Sequence, residues 1–170
     1  MTGDTERSVV FEWVSDGASL AEARDLIAAF GDTSPVDLGF QALETELATL
    51  PGPYAPPSGG LLLVRVSEQA VGCCAFRAAP PCDYANAAEV KRLFVKKRFR
   101  GLGLGRQLIE QCITAAAVAG YDCLLLDTLD ESETVRALYA SLGFVVIPPY
   151  CFSPIAGAHH LRLSFAGSGG

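Results

Sequence analysis

Polar and apolar positions change their period several times along the 170-residue chain. Residues 8–14, SVVFEWV, alternate as a half-buried strand does; SLAEARDLIAAFG then repeats apolar positions at helical spacing, with Ser19 placed as N-cap and Gly31 as the stop. A second helical stretch covers residues 36–50 and closes at Pro51-Gly52. PGPYAPPSGG is dense in proline and glycine but short, which predicts a loop rather than a linker. LLLVRVSEQAVGCCAFRAA predicts a hairpin turning at Ser67-Glu68-Gln69, and AAEVKRLFV a fourth strand. GLGRQLIEQCITAAAVAG predicts a helix ending at Gly120, DCLLLDT a buried strand, and SETVRALYASLG a helix closed by Gly143. FVVIPPY and HHLRLSF supply the last two strands, and the tail at 166–170 is expected to fray. No internal repeat or low-complexity segment interrupts this order, so residues 1–170 are read as one domain.

Composition narrows the class. Half of the residues are hydrophobic and 19% are charged, which excludes a disordered chain. No apolar run approaches the roughly 20 residues that span a bilayer, and MTGDTERSVVFEWV lacks a basic-then-apolar leader, so a cytoplasmic protein without a membrane partner is expected. The six cysteines (Cys73, Cys74, Cys82, Cys112, Cys123, Cys151) form no C-x-x-C pair and have no histidine at zinc-ligand spacing; buried reduced thiols and no metal are expected. His159 and His160 are adjacent, which on a strand sends them to opposite faces.

Charge matters more in its distribution than in its sum. The net charge is −6, yet seven of the thirteen Lys and Arg residues fall between Lys91 and Arg106. One basic segment on an acidic chain lacks the broad positive surface of a nucleic-acid binder and suits one compact anion. Within that segment lies RFRGLGLGRQL, between a predicted strand and a predicted helix. The unpaired N–H groups of a helix start, with the helix dipole, attract an anion. Gly101, Gly103 and Gly105 keep side chains away from the backbone there, and Arg100 and Arg106 can add charge-assisted contacts. The dinucleotide pattern G-x-G-x-x-G fails at Arg106, and no Gly-Lys-Ser/Thr of a P-loop is present. What remains is Arg100-x-x-Gly103-x-Gly105.

That pattern resembles the pyrophosphate loop of the GNAT superfamily of acyl-CoA-dependent N-acetyltransferases, Q/R-x-x-G-x-G/A between the fourth strand and the third helix. EVKRLFVKKRFRGLGLG and ETVRALYASLGFVVIPPY resemble the two central motifs of the family, and the element order matches over nearly the whole chain. The resemblance implies an α/β (α+β) fold: a mixed, mostly antiparallel twisted sheet of about seven strands, helices on both faces, splayed between strands 4 and 5. It implies acetyl-CoA as cofactor, with the backbone of Phe94 and Val95 along the pantetheine arm and the segment Arg100, Gly101, Leu102, Gly103, Leu104, Gly105, Arg106 around the pyrophosphate.

Roles for side chains follow from the same resemblance. Tyr139, in RALYASLGF, stands where many members place a tyrosine beside the thioester sulfur, suited to protonating a leaving thiolate; from the residues alone it is equally a core aromatic of its helix. Glu89 opens the fourth strand six residues before Val95, as in members with a strand-borne general base; the plainer alternative is an exposed strand-entry carboxylate. Seven residues before Tyr139 many members carry a cofactor-contacting asparagine, and this chain has Ser132, which has less reach and can instead cap a helix.

The acceptor is the least legible part. The segment PPYCFSPIAGAHHL resembles small bacterial members, and Tyr54 and Tyr150, both in proline-rich loops, are candidates to line the acceptor pocket or simply to pack those loops. An acidic protein favours a cationic or amine acceptor. The expectation is acetyl transfer to the primary amine of a small molecule, amino-acid-like or polyamine-like, by direct attack in a ternary complex. Acetylation of a protein N-terminus or lysine, and a CoA-binding sensor without catalysis, are the alternatives. Small members of the family are often homodimers, although nothing in the sequence decides assembly.

Overall fold

A computed structural model describes residues 8–33, 40–128, 133–150 and 159–165. In chain order these form β1 (Val9–Trp13), α1 (Gly17–Thr33), α2 (Phe40–Thr49), β2 (Gly60–Val66), β3 (Gln69–Ala78), β4 (Ala87–Val95), α3 (Leu104–Val118), β5 (Cys123–Thr128), α4 (Glu133–Ser141), β6 (Val145–Ile147) and β7 (His159–Ser164). The seven strands make one sheet in the order β1-β2-β3-β4-β5-β7-β6. Every neighbouring pair is antiparallel except β4 and β5. No described helix is long and apolar enough to cross a membrane.

Strand alternation divides the buried side chains between two layers. On the front face Leu62, Val64, Cys74, Phe76, Ala88, Val90, Leu124 and Leu126 pack against Leu104, Leu108, Ile109 and Cys112 of α3 and Tyr139 of α4. On the rear face Leu61, Leu63, Cys73 and Ala75 pack against Ala23, Leu26 and Ile27 of α1, with Leu43 and Leu47 of α2 alongside. His159 and His160 fall on opposite faces, the former beside Arg136 of α4 with 3.3 Å between Arg136 Nη2 and His159 Nε2.

Two features of β4 govern everything downstream. Its pairing with β5 covers only Ala87–Glu89 against Cys123–Leu125, after which the two strands part. This is the splay that the family resemblance implied. A register shift against β3 between Cys73 and Ala75 also inserts one extra residue into β4. The bulge sits at Arg92, whose φ of 62° lies in the left-handed region. It turns the consecutive residues Lys91 and Arg92 to the rear.

Local signals served well at the turns. Ser67 and Glu68 both take positive φ, 48° and 71°, as the tight β2–β3 hairpin requires, and Gly120 and Gly143 close α3 and α4 at φ 100° and 99°. The start of α1 differs from the expectation: the helix begins at Gly17, Ser19 lies inside it, and its hydroxyl donates to Glu12 Oε1 at 2.9 Å instead of capping. Gly31 lies within α1 and does not stop it. Because the helix starts before Ser19, that hydroxyl does not stand at the helix end, and it finds an acceptor in a carboxylate of the neighbouring strand. The second helix is described from Phe40, not from residue 36.

Candidate active site at the parting of β4 and β5

The loop after β4 is built for an anion. A single helical turn, Lys97–Phe99, seats Phe99 in the front core, and Gly101 and Gly103 then take φ of 85° and 78°. Only glycine adopts such angles without cost. A Cβ on Gly101 would meet no atom within 4 Å, and one on Gly103 only Gln107 Nε2 at 4.0 Å. The backbone therefore faces open space. The first helical bond of α3 runs from Gln107 N–H to Gly103 O at 3.2 Å. The N–H groups of Leu104, Gly105 and Arg106 lie ahead of it, with no carbonyl of their own helix behind them. Leu104 is buried in the front core and fixes the direction of these donors, whereas Leu102 is exposed. Gly105 is helical, and a Cβ there would make an ordinary 4.0 Å contact with Val95, so open backbone is demanded at only two of the three glycines.

The two arginines of the loop are partly engaged. Arg100 donates from Nε to Val95 O at 2.9 Å, which leaves the terminal nitrogens of an exposed guanidinium over the loop. Arg106 turns along α3 toward Glu110 (2.9 Å) and Ser141 of α4 (2.8 Å), tying the two front helices together. Ser132 lies outside the described residues.

Tyr139 and Glu89 stand on opposite faces of the sheet. Tyr139 is buried beneath α4, edge-on to Phe144 at 5.6 Å, and lines a cavity of about 310 Å³ together with Thr128, Val135, Ala140 and Leu161. The loop of Gly101 and Gly103 does not contribute to that cavity. Glu89, only 3% exposed, points to the rear at the last rung of the β4–β5 ladder. The two strands part just beyond Glu89.

Glu89 is the centre of a buried polar cluster and not the exposed carboxylate of the plainer alternative. Its Oε1 receives Arg77 Nη2 at 3.2 Å and lies 3.6 Å from Lys91 Nζ, and its Oε2 accepts the hydroxyl of Tyr150 at 2.7 Å. Lys91 also pairs with Asp127 of β5 at 3.4 Å. Tyr150, expected near an acceptor, is thereby brought to Glu89 from 61 residues away. Its ring stands edge-on to His160 at 5.3 Å.

Tyr54 departs from its expected place. It is fully buried in the rear core, and its hydroxyl donates to Glu46 Oε1 of α2 at 2.6 Å. A side chain with no exposed surface cannot touch an acceptor directly. Burial, with Glu46 accepting its proton, pushes the Tyr54 hydroxyl well above the usual phenol range. Glu46 in turn pairs with Arg92 at the bulge, 2.7 Å from Nε to Oε2. Arg77, Lys91, Arg92, Asp127 and Glu46 were not singled out from the sequence; the only available signal was that Glu89 and Lys91, two apart on a strand, share a face. Thiol chemistry is disfavoured at Cys73 and Cys74, both fully buried. Burial pushes the Cys73 thiol up, and a hydrogen bond with Cys112 together with burial raises that of Cys74.

The family model of the acetyltransferase (GNAT) domain matches residues 57–146, which run from before β2 to β6 and include the glycine loop, Glu89 and Tyr139. The chain belongs to the GNAT acetyltransferase family. An uncharacterized N-acetyltransferase of Schizosaccharomyces pombe is 36% identical over 132 residues, 77% of this chain and 79% of that one. N-acetylaspartate synthetase of Danio rerio is 33% identical over 104 residues, 61% of this chain but 36% of that protein. Among solved structures, a putative acetyltransferase of Salmonella typhimurium with its cofactor acetyl-CoA superposes with a TM-score of 0.68 at 18% identity, covering 94% of this chain and 96% of that one. The GNAT fold thus extends beyond the matched segment to nearly the whole chain.

Proposed function

We propose that this GNAT acetyltransferase moves the acetyl group of acetyl-CoA onto the primary amine of a small molecule, by direct attack with both substrates bound. The observation that carries the reading is the single parting of the sheet, with an anion cradle at its front end, a buried tyrosine in front and a buried carboxylate cluster behind. Acetyl-CoA, when bound, supplies an activated thioester carbon. Gly101 to Arg106 offer their N–H groups to its pyrophosphate, Arg100 adds charge, and the β4 backbone at Phe94 and Val95 runs beside the open edge as an added strand would need.

In this reading Tyr139, which lines the front cavity, gives its phenolic proton to the departing thiolate. On the rear face the cluster of Arg77, Glu89, Lys91, Asp127 and Tyr150 receives the acceptor. An amine must shed a proton to attack, and that proton passes to this cluster. Arg77 and Lys91 supply positive charge beside it, so an acceptor carrying a carboxylate as well as an amine suits the site, and aspartate is the first to try given the activity named for the Danio rerio relative.

The test is thiol release from acetyl-CoA against L-amino acids including aspartate, against spermidine and against short peptides, beside calorimetric binding of CoA. Turnover on a small amine that falls in Tyr139→Phe supports the reading. Absence of CoA binding, or turnover on peptides alone, overturns it.

A further inference from the structure

His160 is one of two histidines in the protein, and it is 2% exposed. Neither of its ring nitrogens has a hydrogen-bond partner among the described residues. Buried polar atoms are almost always paired, because leaving one unmade carries a desolvation cost. The position of this one is specific. His160 lies directly across the ladder from Asp127, one row beyond the rung at Glu89 and Leu125 where β4 and β5 part. It therefore sits on the rear face, level with the opening.

Among the described residues its charged and titratable neighbours are engaged with one another or with a ring, although Arg162 Nε too has no hydrogen-bond partner. Asp127 on β5 is held by Lys91 of β4, and Glu89 on β4 by Arg77 of β3, Lys91 and Tyr150. Tyr150, whose ring lies against the imidazole, gives its hydroxyl to Glu89. Arg162, two residues along β7 on the same face, lies over the Tyr84 ring at 4.8 Å. Both oxygens of Glu89 already accept donors. Among the described residues around this cluster, the imidazole of His160 is the basic ring whose nitrogens nothing occupies.

Resting on the acetyl-transfer reading above, we propose that His160, which abuts this cluster at the Tyr150 ring and across the ladder from Asp127, takes the proton from the acceptor amine. The nitrogen keeps its electron pair for the new bond to the acetyl carbon, and the pair of the breaking C–S bond leaves on sulfur. The released proton passes to an imidazole nitrogen through one water that enters with the acceptor, because both nitrogens are covered in the protein alone. Asp127, across the ladder, balances the imidazolium until it loses the proton to solvent. Glu89 positions Tyr150 and Lys91 around the acceptor.

Three measurements on the full chain decide this. With acetyl-CoA and the panel amine of highest kcat/KM, the wild type is expected to show the rising limb that an imidazole base gives between about pH 5 and 8. His160→Gln should lower kcat by about 100-fold or more and remove that limb, and added imidazole should restore part of the rate in His160→Ala. Glu89→Gln should raise KM and leave the limb in place. A limb that survives in His160→Gln and vanishes in Glu89→Gln overturns the proposal. If the His160 variants do not fold, NMR titration of the wild type decides it: His160 must change protonation state between pH 5 and 9, and an imidazole that holds one state throughout refutes the assignment. Failure of the wild type to acetylate any amine would refute the acetyl-transfer reading instead, which separates the two.

Discussion

Arg92 offers the most demanding test of how the acceptor side is held. It combines a left-handed backbone at φ 62° with an ion pair to Glu46 in which the two side chains are 16% and 14% exposed. Removing one partner of such a pair leaves the other charge buried, at a cost of about 3–5 kcal/mol. Coulomb attraction across roughly 4 Å at an effective dielectric constant of about 20 gives about 4 kcal/mol, in the same range. Arg92→Ala loses this and keeps the strained angle. Arg92→Gly loses the same pair and relieves a left-handed penalty of roughly 1–2 kcal/mol. Glycine should therefore be the milder substitution, the reverse of its usual rank in a strand. At about 2–4 °C per kcal/mol for a domain of this size, Arg92→Ala should melt roughly 8–15 °C below wild type and Arg92→Gly a few degrees higher. The triple variant Arg92→Met, Glu46→Leu, Tyr54→Phe, which leaves neither an orphan charge nor an orphan buried hydroxyl, should recover most of the loss. Thermal unfolding followed by circular dichroism reads all three. A loss below about 1 kcal/mol in Arg92→Ala, the value of an exposed pair, or a glycine variant worse than alanine, would refute both the burial and the strain.

Three further outcomes are expected. Tyr139→Phe keeps the ring packed on Phe144, so it should melt within about 1 kcal/mol of wild type while kcat falls by about 100-fold; an unchanged kcat would remove the phenol from the chemistry. Gly101→Ala has room for its methyl group but not the angle, so it should cost roughly 1–2 kcal/mol of stability and weaken CoA binding in calorimetry, and equal CoA affinity would deny the loop its role. Tyr54 has its proton held above the ordinary phenol value in the folded state, so its contribution is complete below about pH 10 and declines as pH rises beyond it, because the unfolded chain then loses a proton that the folded one retains. Urea unfolding between pH 9 and 11 should show this fall, shallower in Tyr54→Phe; an identical slope would refute it.

The sequence disclosed what depends on near neighbours. The glycine loop, the hairpin at Ser67-Glu68 and the stops at Gly120 and Gly143 follow from angles that few residues accept, and these were legible. Ser19 looked like a cap because no local rule sees Glu12 across the loop. Tyr54 looked like a pocket residue because proline-rich flanks suggest surface, whereas Glu46 draws it inward. The bulge at Arg92 leaves no mark in a strand of suitable composition, and the contact between Glu89 and Tyr150 joins segments 61 residues apart. Pattern assigns a residue to a face. Only the assembled sheet shows what meets it there.

The three rungs between Ala87–Glu89 and Cys123–Leu125 divide the sheet into two plates, β1 to β4 and β5-β7-β6, each antiparallel within itself. A seam of three rungs is short for the middle of a sheet, since of the other ladders only that of the edge strand β6 with β7 is as brief. A molecule lying along the open edges would supply the missing rungs and act as a rivet between the plates. Occupancy and integrity would then become one quantity, since what fills the seam would carry force from one plate to the other.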